Sequence, residues 1–186
     1  MVKIIFTGPG KGKTSAAAGT AFRSWGQGRK VLVILFLKDQ RVSGEWKAVS
    51  CLDSPGLVVK SYGRKCPYIG HSCCPGEHEC IVDQQRWEIN DEEQARQGLA
   101  FAEQEIKSGR WNLIVLDEIL NLWSIWPAAQ PLIVDLLKKT PPDVDLILTG
   151  RNCTQELVEL VDLVTSMQLV KHPFHRGIQA QKGIDY

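Results

Sequence analysis

Short continuous apolar runs alternate along this chain with amphipathic stretches. Val2 to Thr7 is an apolar run that ends in a glycine-rich turn. Lys30 to Leu37 is an unbroken series of β-branched residues and leucine, the pattern of a strand buried on both faces. Gly56 to Tyr62, Asn112 to Leu116, Asp143 to Thr149 and Leu163 to Val170 read as further strands. Between them, Lys13 to Trp25, Asn90 to Ser108, Pro131 to Lys139 and Thr154 to Val161 have helical character. Asn90 with Glu93 reads as a capping box opening the second of these helices, and Gly109 stops it. The alternation predicts one α/β domain over residues 1–186, with a mostly parallel central sheet and helices on both faces.

One stretch breaks the pattern. Residues 64–83 carry Cys, Pro, Gly and His with no periodicity, and read as an irregular insert. Four cysteines, Cys66, Cys73, Cys74 and Cys80, fall there with two histidines. Their density makes them candidate ligands for a [4Fe–4S] cluster or zinc, although the spacing is neither a standard zinc pair nor a ferredoxin run. Reduced thiols on an irregular loop are the other reading.

Composition changes this picture little. Hydrophobic residues make up 44% and charged residues 23% of 186, ordinary values for a globular domain. A net charge of +1 gives no broad electrostatic footprint for nucleic acid or an anionic membrane, so an anion has to be held by a local site. The N-terminal residues lack a leader pattern and no apolar run is long enough for a membrane span, so a cytoplasmic location is expected.

The local site is legible. Thr7-Gly8-Pro9-Gly10-Lys11-Gly12-Lys13-Thr14-Ser15 follows the first strand and opens the first helix, the context of a phosphate-binding loop. Glycines let successive N–H groups turn toward one anion, and the helix N-terminus adds unpaired donors. Lys13 supplies a cation for the phosphates, and the Thr14 hydroxyl is placed to ligate Mg²⁺. Thr7 stands where the usual motif begins with Gly, so the match is a variant. Asp117 and Glu118, at the end of a buried strand, supply acids at the sheet edge that faces a ligand. Each is a candidate for Mg²⁺, with capping of the following helix as the alternative. The fold expected is therefore P-loop NTPase-like.

With these residues in place the chain resembles the P-loop ATP:corrinoid adenosyltransferases. The likeness begins at Gly10-Lys11-Gly12-Lys13-Thr14 with Ala16-Ala17. It continues through Phe36-Leu37-Lys38, Val115-Leu116-Asp117-Glu118 and Leu148-Thr149-Gly150-Arg151. It is most specific towards the end, at Glu156-Leu157, Asp162-Leu163-Val164-Thr165, Val170-Lys171-His172-Pro173-Phe174 and Gly177-Ile178-Gln179-Ala180-Gln181-Lys182-Gly183-Ile184. Only residues 64–83 fall outside it.

The resemblance implies transfer of the 5′-deoxyadenosyl group of ATP to the cobalt(I) of a reduced corrinoid, with release of triphosphate. It implies Lys13, Arg151 and a Mg²⁺ ion held by Thr14 and Glu118 as the groups that neutralise the triphosphate, and the loop from Thr7 to Ser15, Lys38, Tyr68 and Lys182 as ligand contacts. Arg151 could instead serve a surface ion pair. A reductase that supplies cobalt(I) and a homodimer are further expectations. The family has aromatics in its corrinoid-facing segment, where this chain keeps Tyr68 but places Cys66, and it often has a segment before the first strand. Two other functions stay open at this point: a P-loop ATPase or kinase, and a non-catalytic ATP- or corrinoid-binding relative. Cys51 and Cys153 read as structural thiols, and Trp111, Trp123 and Trp126 as packing residues. His172 suits either a nucleotide border or a structural hydrogen bond.

Overall fold

A computed structural model describes residues 1–39, 43–52, 55–65, 82–179, 181 and 183–184. The chain order is β1 (Lys3–Thr7), α1 (Lys13–Gly26), β2 (Val31–Phe36), α2 (Gly44–Ser50), β3 (Leu57–Tyr62), α3 (Ile89–Lys107), β4 (Leu113–Asp117), α4 (Ile119–Ile125), α5 (Gln130–Lys139), β5 (Asp145–Thr149), α6 (Gln155–Val158) and β6 (Leu163–Ser166). The six strands form one sheet in the order β3-β2-β4-β5-β1-β6, with every pairing parallel.

All six residues of β2 are buried, which is why its sequence is a continuous apolar run. Because side chains alternate along a strand, Leu32, Ile34 and Phe36 join the core made with α3, α4 and α5. Val31, Val33 and Leu35 join the opposite core, with Ala17, Ala18 and Ala21 of α1 and Trp46 and Val49 of α2. The small alanines let α1 lie close to the sheet, so its N-terminus meets the end of β1. Gly98 does the same for α3: a Cβ there would sit 2.8 Å from the Phe36 ring and 2.9 Å from Tyr62 Cβ.

Three local expectations are corrected. The capping box of α3 is formed by Glu88 and Asp91, not by Asn90 and Glu93. Asp91 accepts from the Glu88 backbone N–H at 2.9 Å and is also held by Arg64 at 2.6 Å, so this pair has tertiary support. The last strand ends at Ser166 rather than Val170, because the next residue turns its carbonyl to the phosphate loop: Gly10 N–H donates to Met167 O at 2.8 Å. The helices α2 and α4 were not anticipated. In α4, Ile119, Leu120, Leu122 and Trp123 are buried while the polar Asn121 and Ser124 are half-buried, a helical spacing that seven residues are too few to reveal.

Candidate active site

The C-terminal ends of β1, β2, β4 and β5 deliver the groups expected from the sequence to one edge of the sheet, and with them several that were not expected. After β1 the loop turns through Gly8 and Gly12, at φ 101° and 104°. Gly8 is also wedged against the chain beyond β6, where a Cβ would lie 2.5 Å from Met167 O. Lys13, at the start of α1, folds back over this loop and donates to Gly8 O at 2.9 Å and Gly10 O at 2.6 Å. Burial and then the positive charge of Arg151 lower its pKa, against the pull of Glu118 and Asp117. Its ammonium is held by two carbonyl oxygens of the loop, and among the described residues no carboxylate is in direct contact with it.

Asp117 closes β4 with 0% exposure and organises the site floor. Its Oδ1 accepts from Thr14 Oγ1 at 3.0 Å and from Thr149 Oγ1 at 2.6 Å. Its Oδ2 lies 2.7 Å from Lys38 Nζ, which is also 3.8 Å from Glu118 Oε1. Lys38 reaches across because Leu37, directly after β2, takes a left-handed conformation at φ 64°. Burial alone would lower the pKa of the Lys38 ammonium, but Asp117 and Glu118 override it and the net shift is upward.

Glu118 adopts φ 66° at the head of α4, and its backbone N–H donates to Thr149 Oγ1 at 2.9 Å. Its carboxylate makes no helix-cap bond and instead accepts from the Asn121 side-chain amide. Burial raises the Glu118 pKa, the neighbouring Asp117 charge adds to the rise, and Lys38, Lys13 and Arg151 oppose it. Asn121 also accepts the Arg151 backbone N–H at 2.7 Å, tying the turn after β5 to α4. That turn needs Gly150, at φ 139°, where a Cβ would meet Leu120 Cβ at 2.8 Å.

Above this floor opens a cleft of about 740 Å³, lined by Lys11 to Ser15, Phe36 to Lys38, Ser43 to Glu45, Val82, Glu118, Asn121, Gly183 and Ile184. Of the expected residues, Lys11, Gly12, Lys13, Thr14, Ser15, Lys38 and Glu118 face it. Thr7 is buried at the strand end, and Gly8, Pro9 and Gly10 form the turn behind. Arg151 is exposed beyond the lining, close enough to Lys13 and Glu118 for its charge to act on both. Tyr68, Lys182 and the candidate cluster ligands Cys66, Cys73, Cys74 and Cys80 lie outside the described residues. Among the described residues, no group of three or more His, Cys, Asp and Glu is arranged to hold a metal.

Thr149, Asn121 and Glu45 were missed from sequence. The run Leu148-Thr149-Gly150-Arg151 at a strand end carried a signal for Thr149. Nothing local marks Asn121, or Glu45, which accepts from Ser15 Oγ at 3.3 Å. Trp123 and Trp126 are core residues as expected, and Trp111 packs against the same core while donating to Glu105 at 2.6 Å. Cys153 is half-buried, and burial pushes its thiol pKa up. Cys51, expected to be structural, is instead exposed at the C-terminal end of the short α2.

A glycine-rich loop between β1 and α1, facing an acid at the end of β4 in a parallel sheet, defines a P-loop nucleotide-binding α/β protein. The fold is similar to a chain of the assembled ATPase EscN from the enteropathogenic E. coli type III secretion system, with a TM-score of 0.51 at 13% identity. That likeness covers 89% of this chain and 42% of the other, and it concerns the fold alone. The family described as ATP:corrinoid adenosyltransferase BtuR/CobO/CobP matches residues 1–186, and the chain belongs to it. A corrinoid adenosyltransferase of Sinorhizobium sp is 32% identical over 184 residues, covering 98% of this chain and 79% of the relative. Another, from Escherichia coli K12, is 30% identical over 187 residues, covering 98% and 84%. The corrinoid adenosyltransferase CobA of Salmonella typhimurium matches to the same extent. Among the described residues no helix is long and apolar enough to cross a membrane.

Proposed function

We infer that this chain transfers the 5′-deoxyadenosyl group of ATP to the cobalt of a reduced corrinoid. The observation that carries this reading is the family match over residues 1–186. In the reaction the cobalt(I) electron pair forms the bond to C5′ while the C5′–oxygen bond breaks, and its pair leaves with triphosphate. Cobalt(I) is itself the nucleophile, so the protein has to align the reactants and neutralise the leaving group rather than supply a base.

Lys13 and Arg151 are the cations for the leaving triphosphate, and the amides of the loop from Thr7 to Ser15 hold phosphate oxygens. Lys38 and Lys182 contribute further positive charge. The hard oxygen donors of Thr14, Asp117 and Glu118 suit Mg²⁺, which, when bound, would supply charge neutralisation at the phosphates. Tyr68 is assigned to the corrinoid side. The cysteines at 66, 73, 74 and 80 are assigned to an iron–sulfur cluster or zinc, tested by iron, sulfide and zinc analysis of protein purified without oxygen. A reductase partner, a homodimer and a cytoplasmic location complete the reading.

The deciding experiment is anaerobic. Protein, ATP, Mg²⁺ and corrinoid reduced to cobalt(I) are mixed, and the cobalt absorbance and triphosphate are followed. A light-sensitive adenosylated product with matching triphosphate, abolished by Lys13→Ala, is expected. Release of ADP with no change at cobalt would instead mean an ATPase, and corrinoid binding without turnover a binding protein.

A further inference from the structure

Each carboxylate oxygen at the end of β4 lies against a protein group, although among the described residues Asp117 Oδ2 makes no hydrogen bond and is held by an ion pair alone. Asp117 Oδ1 takes hydrogen bonds from Thr14 and Thr149, and Oδ2 lies 2.7 Å from Lys38 Nζ. Glu118 Oε1 faces the same ammonium at 3.8 Å, and Oε2 accepts from Asn121. Lys38 therefore bridges the two acids that would otherwise meet a divalent cation. It does so in a dry setting, with its side chain 13% exposed and that of Asp117 fully buried.

The backbone holds Lys38 in this position. Leu37 N–H donates to Tyr62 O at 3.1 Å, and Leu37 O accepts from Val82 N–H at 3.1 Å. On the other side Gly63 packs so closely that a Cβ would lie 2.3 Å from Lys38 N. These contacts fix the backbone at Leu37 and the Lys38 N, and leave mainly the four-carbon side chain free to move. Carboxylates that share a buried ammonium bind a bare metal ion only by giving up that ion pair. An ATP polyphosphate brings several negative charges into the cleft at once, and offers the ammonium another anion.

We propose that Lys38 is an internal substitute for the divalent cation, holding the Asp117–Glu118 pair closed until nucleotide arrives, so that the metal is accepted only together with ATP. The proposal rests on the reading of the cleft as a metal–nucleotide site, and adds to it a reason for the order of binding. A cation fixed in the protein thus competes with free Mg²⁺ for the same two carboxylates.

Mn²⁺ binding followed by electron paramagnetic resonance tests this without any turnover. Wild-type protein without nucleotide is expected to bind Mn²⁺ at least tenfold more weakly than Lys38→Met or Lys38→Gln. Lys38→Arg should exclude Mn²⁺ as wild type does. The glutamine variant keeps a hydrogen-bond donor towards Asp117 and stands in if the methionine variant does not fold. Adding Asp117→Asn to the glutamine variant should abolish the gain, which places the metal at this pair. Equal Mn²⁺ affinity in wild type and both neutral variants would overturn the proposal. If wild type takes up no Mn²⁺ even with ATP, the metal–nucleotide reading of the cleft fails and the proposal with it. If the Mn²⁺ pattern holds but no adenosylated corrinoid forms in the anaerobic assay, only the assigned reaction fails.

Discussion

Thr149→Val isolates one hydroxyl that holds both acids of the cleft. Thr149 is buried at the end of β5; its Oγ1 donates to Asp117 Oδ1 at 2.6 Å and accepts from the Glu118 N–H at 2.9 Å. Valine keeps the shape and removes both bonds. A hydrogen bond to a charged group contributes about 1.5–3 kcal/mol, and a buried N–H left without an acceptor costs about 1–3 kcal/mol. Asp117 keeps Thr14 and Lys38 as partners, so the lower half of the range applies, a loss of about 3 kcal/mol. For a chain of this size that lowers Tm by about 6–12 °C. Urea unfolding should show a lower midpoint with an unchanged slope, since the native surface is the same. Thr149→Ser retains both hydrogen bonds and loses one methyl group, costing about 1 kcal/mol. A valine variant within about 0.5 kcal/mol of wild type, or a serine variant as damaged as valine, would refute the reasoning.

Asn121→Leu removes the donor to Glu118 and the acceptor for Arg151 N–H, and should lower kcat/KM for ATP about 10- to 100-fold, the range for supporting groups around a metal site. An unchanged kcat/KM would show that neither group depends on it. Gly8→Ala places a side chain on φ +101° and a Cβ 2.5 Å from Met167 O, so stability should fall by at least about 1–2 kcal/mol and ATP binding with it, read by calorimetry. Asp145 should shape the acid limb. Burial raises its pKa, but hydrogen bonds from Arg29 and Val2 N–H and nearby positive charge override this, and the net value lies below 3.8. Its contribution is thus complete above the unfolded-state value and is lost as pH falls through the lower folded one. Asp145→Asn should therefore be less stable than wild type at pH 7, and the difference should shrink by pH 3 in urea titrations.

Local pattern and tertiary context contributed differently to each element. The strands β2 and β4 were legible because burial on both faces forces an unbroken apolar run. The helix α4 is concealed because seven residues make only about two turns, too few for buried Ile119, Leu120, Leu122 and Trp123 and half-buried Asn121 and Ser124 to show a period. At the start of α3 two candidate capping pairs overlap in sequence, and the choice of Glu88 with Asp91 is supported by Arg64, which comes from beyond β3. The end of β6 was misplaced because what draws the chain away is a hydrogen bond from the phosphate loop at the other end of the protein.

The sequence by itself determined the class of fold, the phosphate loop and the acid pair. Each of these rests on residues adjacent along the chain, where backbone freedom, apolar periodicity and strand ends act locally. The tertiary structure alone decided the partners. Thr14 meets Asp117 across 103 positions of sequence, and Asp117 draws in Thr149 from the next strand of the sheet and Lys38 from a left-handed turn after β2. Such contacts follow from strand order, β2 beside β4 and β4 beside β5, because a parallel sheet brings the C-terminal ends of non-consecutive strands to one edge. That order is written in the packing of two cores, and no short stretch of the chain contains it.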